Sequence, residues 1–234
     1  MCDERALTTA CQFPDDGWTG HWRLCSRHAS PHLPADWKQW VELDPPPHPG
    51  VECATLDQLR QQERASHAKD ILAQARTDRT AILPVQRVLG PADLPAQPQT
   101  KALHRLLLDN ILGPIFQFKE QFNRGRPYHC CAENLDPMFA NKADPLHPGH
   151  PAYPSGHSTQ AHALAYLLAS WFPQREREFL EAAGKVAKNR EIAGLHYPSD
   201  SLAGKKLARQ LVGLLLLDPC FRAAADRARV EWPP

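Results

Sequence analysis

Arg190, His196 and Asp200 stand close together in the stretch Asn189-Arg190-Glu191-Ile192-Ala193-Gly194-Leu195-His196-Tyr197-Pro198-Ser199-Asp200. Proline suits the first turn of a helix, where its missing N–H costs nothing, so Pro198 predicts a helix opening there. His196 then lies at the entry and Asp200 one turn further. With that spacing the carboxylate can hold one ring nitrogen of His196 and leave the other as an unprotonated lone pair. A purely structural His–Asp bond needs the same residues. Pro154-Ser155-Gly156-His157 forms a second cluster. Ser155 predicts an N-cap, Gly156 lets a ligand approach the backbone, and the unpaired N–H groups of a helix start favour an anion. Alone, this cluster reads as a capped helix with an incidental histidine. The third cluster is Lys119 with Arg126-Pro127. Seven positions on a helix are almost two full turns, so both cations can leave one face. Alone, they are ordinary partners of a helix C-terminus. Together the clusters supply three cations, an anion nest and two histidines, one backed by a carboxylate. That inventory suits binding a tetrahedral oxyanion and transferring a group from it.

Helices must carry these side chains. Leu56, Leu59, Ile71, Leu72 and Ala75 predict a helix over 54–78, followed by a connection marked by Pro84, Pro91, Pro95 and Pro98. Leu103, Leu107, Ile111, Ile115, Phe118 and Phe122 recur every three or four residues, the helical period. Gly113-Pro114 predicts a kink in that helix, and Gly125 and Pro127 mark its end. A long loop over 127–154 leads to the helix capped by Ser155, which runs to about Trp171. Further helices are expected over 174–188, with Phe179, Leu180, Ala183 and Val186 inward, and over 198–217, with Leu202, Leu207, Leu211 and Leu214 on one side. Residues 1–53 show no sustained period and hold Trp18, Trp22, Trp37 and Trp40. They read as an irregular arm whose tryptophans pack it onto a catalytic domain of residues 54–234. The fold class is all-α.

Composition bounds the function. The 234 residues are 42% hydrophobic and 23% charged, enough for one sizeable core and ordinary for a globular chain. The net charge of +1, from 27 basic and 26 acidic residues, argues against nucleic acid as a partner. No apolar run reaches the roughly 20 residues that a transmembrane helix needs. Met1–Ala10 holds Asp3, Glu4 and Arg5 and lacks the apolar centre of a signal peptide, so the expected location is cytoplasmic, or periplasmic or secreted if a leader has been removed. Seven cysteines without a C-x-x-C pair read as thiols in a reducing compartment. Cys25, His28 and His32, with Cys11 and His21 nearby, match no standard zinc spacing, so no metal is expected.

In this order, Lys-x6-Arg-Pro, Pro-Ser-Gly-His and Arg-x5-His-x3-Asp resemble the type 2 phosphatidic acid phosphatase and vanadium haloperoxidase superfamily. The motifs span residues 119–200, and Ser-Leu-Ala-Gly after Asp200 also looks family-like; Asn189 departs from the serine usual before the arginine. The resemblance implies a helical bundle of the acid phosphatase/vanadium haloperoxidase type. It implies that His196 attacks phosphorus, that Asp200 holds its tautomer, and that His157 protonates the leaving group. Lys119, Arg126, Ser155, Gly156 and Arg190 would bind phosphate. The expected activity is metal-independent hydrolysis of a small phosphorylated substrate, with no cofactor. The alternative is a haloperoxidase in which the same residues hold vanadate as cofactor, and a third reading is a phosphate-binding module without turnover. Chain length favours the phosphatase, since the haloperoxidases resemble longer chains. Homo-oligomerisation stays open at this point.

Overall fold

The computed structural model describes residues 12–75, 81–90, 97–131 and 148–232, and their regular structure is helical. In chain order the helices are α1 (Gly20–Cys25), α2 (Gly50–Ala75), α3 (Leu83–Gln86), α4 (Pro98–Phe122), α5 (Pro127–Cys130), α6 (Gly156–Trp171), α7 (Glu176–Ile192), α8 (Pro198–Leu215) and α9 (Pro219–Arg229). Short 3-10 turns occupy Asp15–Gly17, Trp37–Gln39 and Pro173–Arg175. Among the described residues β structure is limited to one bridge between Gln12 and Arg124. The expected all-α class is what is observed. The end of the first expected long helix beyond Ala75, the residues Pro91 and Pro95, the middle of the 127–154 loop, and Cys2 and Cys11 lie outside the described residues.

Helix α6 is apolar on nearly every side, and such a helix ends up inside. Ala161, Ala163, Leu164, Ala165, Leu167 and Leu168 are buried. Helices α7 and α8 pack along α6, which also meets α4, while α2 lies on α7 and α9 on α4. Close packing at the start of α6 depends on Gly204 of α8. A Cβ there would stand 2.7 Å from the Ser155 carbonyl oxygen and 2.9 Å from Ser158 Cβ, so a larger residue would push the two helices apart. The backbone amide of Ser155 donates to the Asp200 carbonyl at 3.0 Å, which ties the two helix starts together.

Several expectations change in detail. Helix α2 starts at Gly50, directly after the proline run, so Glu52 and Cys53 are helical rather than part of the irregular arm. Helix α4 runs through Pro114 and stops at Phe122, because Asn123 adopts the left-handed conformation (φ 41°) that closes a helix C-terminus, ahead of Gly125. Pro127 opens the short α5. Helix α7 continues to Ile192, which places Arg190 in its last turn. Leu202 is exposed, not inward. At about 100° per residue it lies about 140° around the helix from Leu207, off the stripe that Leu207 and Leu211 bury. Leu72 is likewise exposed beside a buried Ile71. Helix α9 was not expected; Asp218 caps it by accepting from the Phe221 amide at 2.7 Å.

Of the arm tryptophans, Trp37 is buried and Trp22 stacks on Phe116 with ring centres 5.0 Å apart, but Trp40 is exposed. The arm backbone comes so near α4 that a Cβ at Gly113 would stand 2.5 Å from the His28 carbonyl oxygen. The all-thiol reading is corrected by a disulfide between Cys53 and Cys131, 78 positions apart, which no local spacing announces. Cys25, Cys130 and Cys220 carry no disulfide. His32 bonds Asp218 at 2.8 Å and Cys25 Sγ contacts the His21 carbonyl. Among the described residues no group of three or more His, Cys, Asp or Glu side chains could hold a metal ion. None of the described helices is long and apolar enough to cross a membrane.

Candidate functional site

The turn between α7 and α8 delivers His196. Gly194, at φ 73°, reverses the chain after α7, and Pro198 then starts α8. Asp200, one turn into α8, uses Oδ2 twice: it accepts the Tyr197 amide at 2.9 Å and holds His196 Nδ1 at 3.2 Å. The expected His–Asp pair is therefore present, and the bond to Asp200 calls for the proton on Nδ1. His196 Nε2 lies 3.3 Å from Arg126 Nη1. Both partners are almost completely buried.

The surroundings keep His196 neutral. Burial pushes its ring well below the usual histidine pKa, and Arg126, Lys119, Arg190 and His157 push in the same direction. The protein thus holds a neutral imidazole with an unprotonated Nε2 among positive charges. Burial pushes the Asp200 carboxyl up, while the Arg124 guanidinium and the Tyr197 amide pull it back. Three donors converge on this carboxylate, the arrangement expected for its ionised form.

Arg126 is fully buried and its guanidinium is heavily bonded. Nε donates to the His150 carbonyl at 3.0 Å, Nη1 to the Leu195 carbonyl at 2.7 Å, and Nη2 approaches His150 Nδ1 at 3.1 Å and the Pro151 carbonyl at 3.4 Å. Lys119, in the last turn of α4, donates from Nζ to the carbonyls of Pro151, Ala152 and Pro154 at 2.7, 3.0 and 2.7 Å. All three ammonium protons fasten the segment that leads into Ser155, which includes the cis peptide before Pro154. A direct bond from Lys119 to an oxyanion therefore requires one carbonyl to be exchanged. Ser155 caps α6, its Oγ accepting from the Ser158 amide at 3.4 Å, and Gly156 is the first residue of the helix. Arg190 and His157 stand close enough to bear on the charge of His196. Asn189, where a serine was expected, bonds His67 of α2 through Oδ1 at 2.7 Å.

Two residues at the site were not singled out in the sequence. His150 lies against Arg126, and its ring packs edge-on to Trp22 and Phe116. Burial, Lys119 and Arg126 hold its pKa well down. Arg124, inside the Lys-x6-Arg-Pro stretch, donates from Nη1 to Asp200 Oδ1 at 2.6 Å and from Nη2 to Glu52 Oε2 at 2.9 Å. The basic residue itself was in view. Its partners were not, because Glu52 and Asp200 are distant in the chain.

Known proteins resemble this chain over part of its length. The chain is 27% identical to an acid phosphatase of Zymomonas mobilis over 139 residues, which is 59% of this chain and 52% of that protein. It is 27% identical to a non-specific acid phosphatase of Providencia stuartii over 140 residues, 56% of this chain and 53% of the relative. A lipid A 1-phosphatase of Rhizobium etli is 34% identical over 98 residues, 42% of this chain and 38% of the relative. The chain thus spans about half the length of the two acid phosphatases. The model of the PAP2 superfamily matches residues 101–218, half of the chain, a span that holds His196 and the cations around it. On that match and on this helical site, the chain belongs to the PAP2 superfamily.

Proposed function

We propose that this chain is a phosphatase that hydrolyses phosphate monoesters through a phosphohistidine on His196, without a metal ion. One observation carries the reading: a neutral imidazole, held through Nδ1 by a buried carboxylate, presents Nε2 beside the Arg126 guanidinium. The relatives named above are phosphatases, which favours hydrolysis over the vanadate-dependent reading of the same residues.

Arg126, Arg190, Ser155 and the Gly156 amide bind the non-bridging oxygens, with Lys119 adding charge from beneath the 151–155 segment. As the substrate enters, one of its oxygens accepts the Arg126 N–H that now faces Nε2, and Arg126 stays a cation. The freed Nε2 lone pair then forms an N–P bond while the P–O bond to the leaving group breaks. His157 gives its proton to the departing oxygen. Asp200 stabilises the positive charge that develops on the ring. In the second half, His157 takes a proton from water, the water oxygen bonds to phosphorus, and the N–P electrons return to Nε2. Positioning and fixed charge supply most of the catalysis in such a transfer.

The test uses para-nitrophenyl phosphate in the presence of a chelator. The wild type should turn over and, after an alkaline quench, retain labelled phosphate that acid removes. His196→Ala should lose both signals, with activity falling by roughly a thousandfold or more. A His196→Ala protein with near-normal turnover would defeat the assignment. A panel of nucleotides, sugar phosphates and lipid phosphates would then define the leaving group.

A further inference from the structure

Glu52 lies in the first turn of α2, some fifty positions before the residues matched to the family. Its carboxylate nevertheless ends at the back of the site. Oε1 accepts the Ser199 amide at 2.8 Å, and Oε2 accepts the Ser199 hydroxyl at 2.6 Å and Arg124 Nη2 at 2.9 Å. The Ser199 amide belongs to the first turn of α8, where backbone donors have no partner within the helix. Glu52 therefore caps from another helix the turn that carries Asp200. Arg124 completes the frame. Nη1 reaches Asp200 Oδ1 at 2.6 Å and Ser199 Oγ at 2.7 Å, Nη2 also reaches the Pro47 carbonyl at 2.9 Å, and the guanidinium lies over the Tyr197 ring at 4.1 Å. Beyond Asp200 stands His196.

The chain of contacts alternates in charge: carboxylate, guanidinium, carboxylate, imidazole. Each link sets the next. An Arg124 without Glu52 would be an uncompensated cation pressed on Asp200, drawing electron density from the carboxylate that must stabilise charge on His196. The first turn of α8 would also lose its cap, and with it the direction of the Asp200 side chain. We propose that Glu52 is a positioning residue for phosphoryl transfer, acting through Arg124 and Asp200 on His196. This rests on the reading of His196 as the nucleophile.

The experiment compares wild type, Glu52→Gln, Glu52→Asp and His196→Ala with para-nitrophenyl phosphate across pH. Glu52→Gln keeps the shape and removes the charge. Its kcat should fall roughly tenfold or more, while KM stays within about threefold, since no phosphate-binding group is touched. The acidic limb of kcat/KM should move to lower pH, because loss of a negative charge makes protonation of His196 still harder. The other charged or titratable groups facing His196, namely Arg126, Lys119, Arg190, His157, His150 and Asp200, are unchanged in this variant. Glu52→Asp, which restores the charge but draws it back by one methylene, should recover part of kcat and return the limb. A Glu52→Gln enzyme with kcat within about twofold of wild type overturns the proposal. So does a loss that leaves the acidic limb in place and is not relieved by aspartate, which marks Glu52 as scaffold only. If Glu52→Gln does not fold, Glu52→Asp carries the test, and an unchanged kcat overturns the proposal. An active His196→Ala defeats the phosphohistidine reading itself. An inactive His196→Ala beside a normal Glu52→Gln defeats only the role of Glu52.

Discussion

A histidine nucleophile must be unprotonated, correctly tautomeric and aimed, and for the nucleophile proposed here, His196, separate residues would serve each need. Burial among cations keeps the His196 ring neutral well below the usual histidine range. Asp200 fixes the proton on Nδ1 and so the lone pair on Nε2. Asp200→Asn tests this division, because an amide can present its oxygen or its nitrogen to the ring and no longer compels the tautomer. It should lower kcat by roughly a thousandfold while the circular dichroism spectrum stays helical. A kcat within about tenfold of wild type would show that the carboxylate charge is not needed. The pair was legible in sequence because Pro198 announces a helix start, with His196 just ahead of it and Asp200 in the first turn. Arg124 was not, because its neighbours in sequence, Asn123 and Gly125, say nothing of the carboxylates that reach it from α2 and α8.

The same boundary runs through the helices. Periodic apolar spacing made α4, α7 and the body of α8 readable, since burial of a stripe is a local pattern, while the Ser155 cap announced α6. Helix ends were harder. Asn123 stops α4 through a left-handed backbone that glycine usually provides, and α2 begins before its apolar pattern does. Helix α9 buries only Phe221, Ala225 and Ala228, a stripe too thin to stand out among its arginines and alanines. How closely two helices pack is a further property that spacing does not reveal. Gly204 makes this testable. Gly204→Ala places a methyl group against the Ser155 carbonyl, which is backbone and cannot rotate away. Overpacking of this kind costs about 1–3 kcal/mol, and it should also reduce kcat by loosening the Ser155–Asp200 backbone bond. Thermal melting and steady-state rates measure the two effects; an unchanged melting temperature would mean that α8 has room to shift.

Across the molecule, described segments ahead of the family-matched span are fastened to the site rather than appended to it. Trp22 stacks on Phe116, the bridge of Gln12 holds Arg124, and the disulfide from Cys53 anchors α2 beside α5. A link across 78 positions restricts the unfolded chain by about 4 kcal/mol in the loop-entropy account. A reductant should therefore lower the melting temperature by several degrees, as should Cys131→Ser without reductant. Equal melting with and without reductant would show that the bridge contributes nothing to stability. Lys119 and Arg126 have a different bearing on the molecule's behaviour. Their protons already serve carbonyl oxygens and ring nitrogens of the protein itself. On the phosphatase reading proposed above, an arriving ester must displace those acceptors, and oxygens sharing two negative charges do so more readily than those sharing one. That reading predicts that monoester dianions compete for the interior ahead of diester monoanions, which an inhibition assay with both ester classes measures.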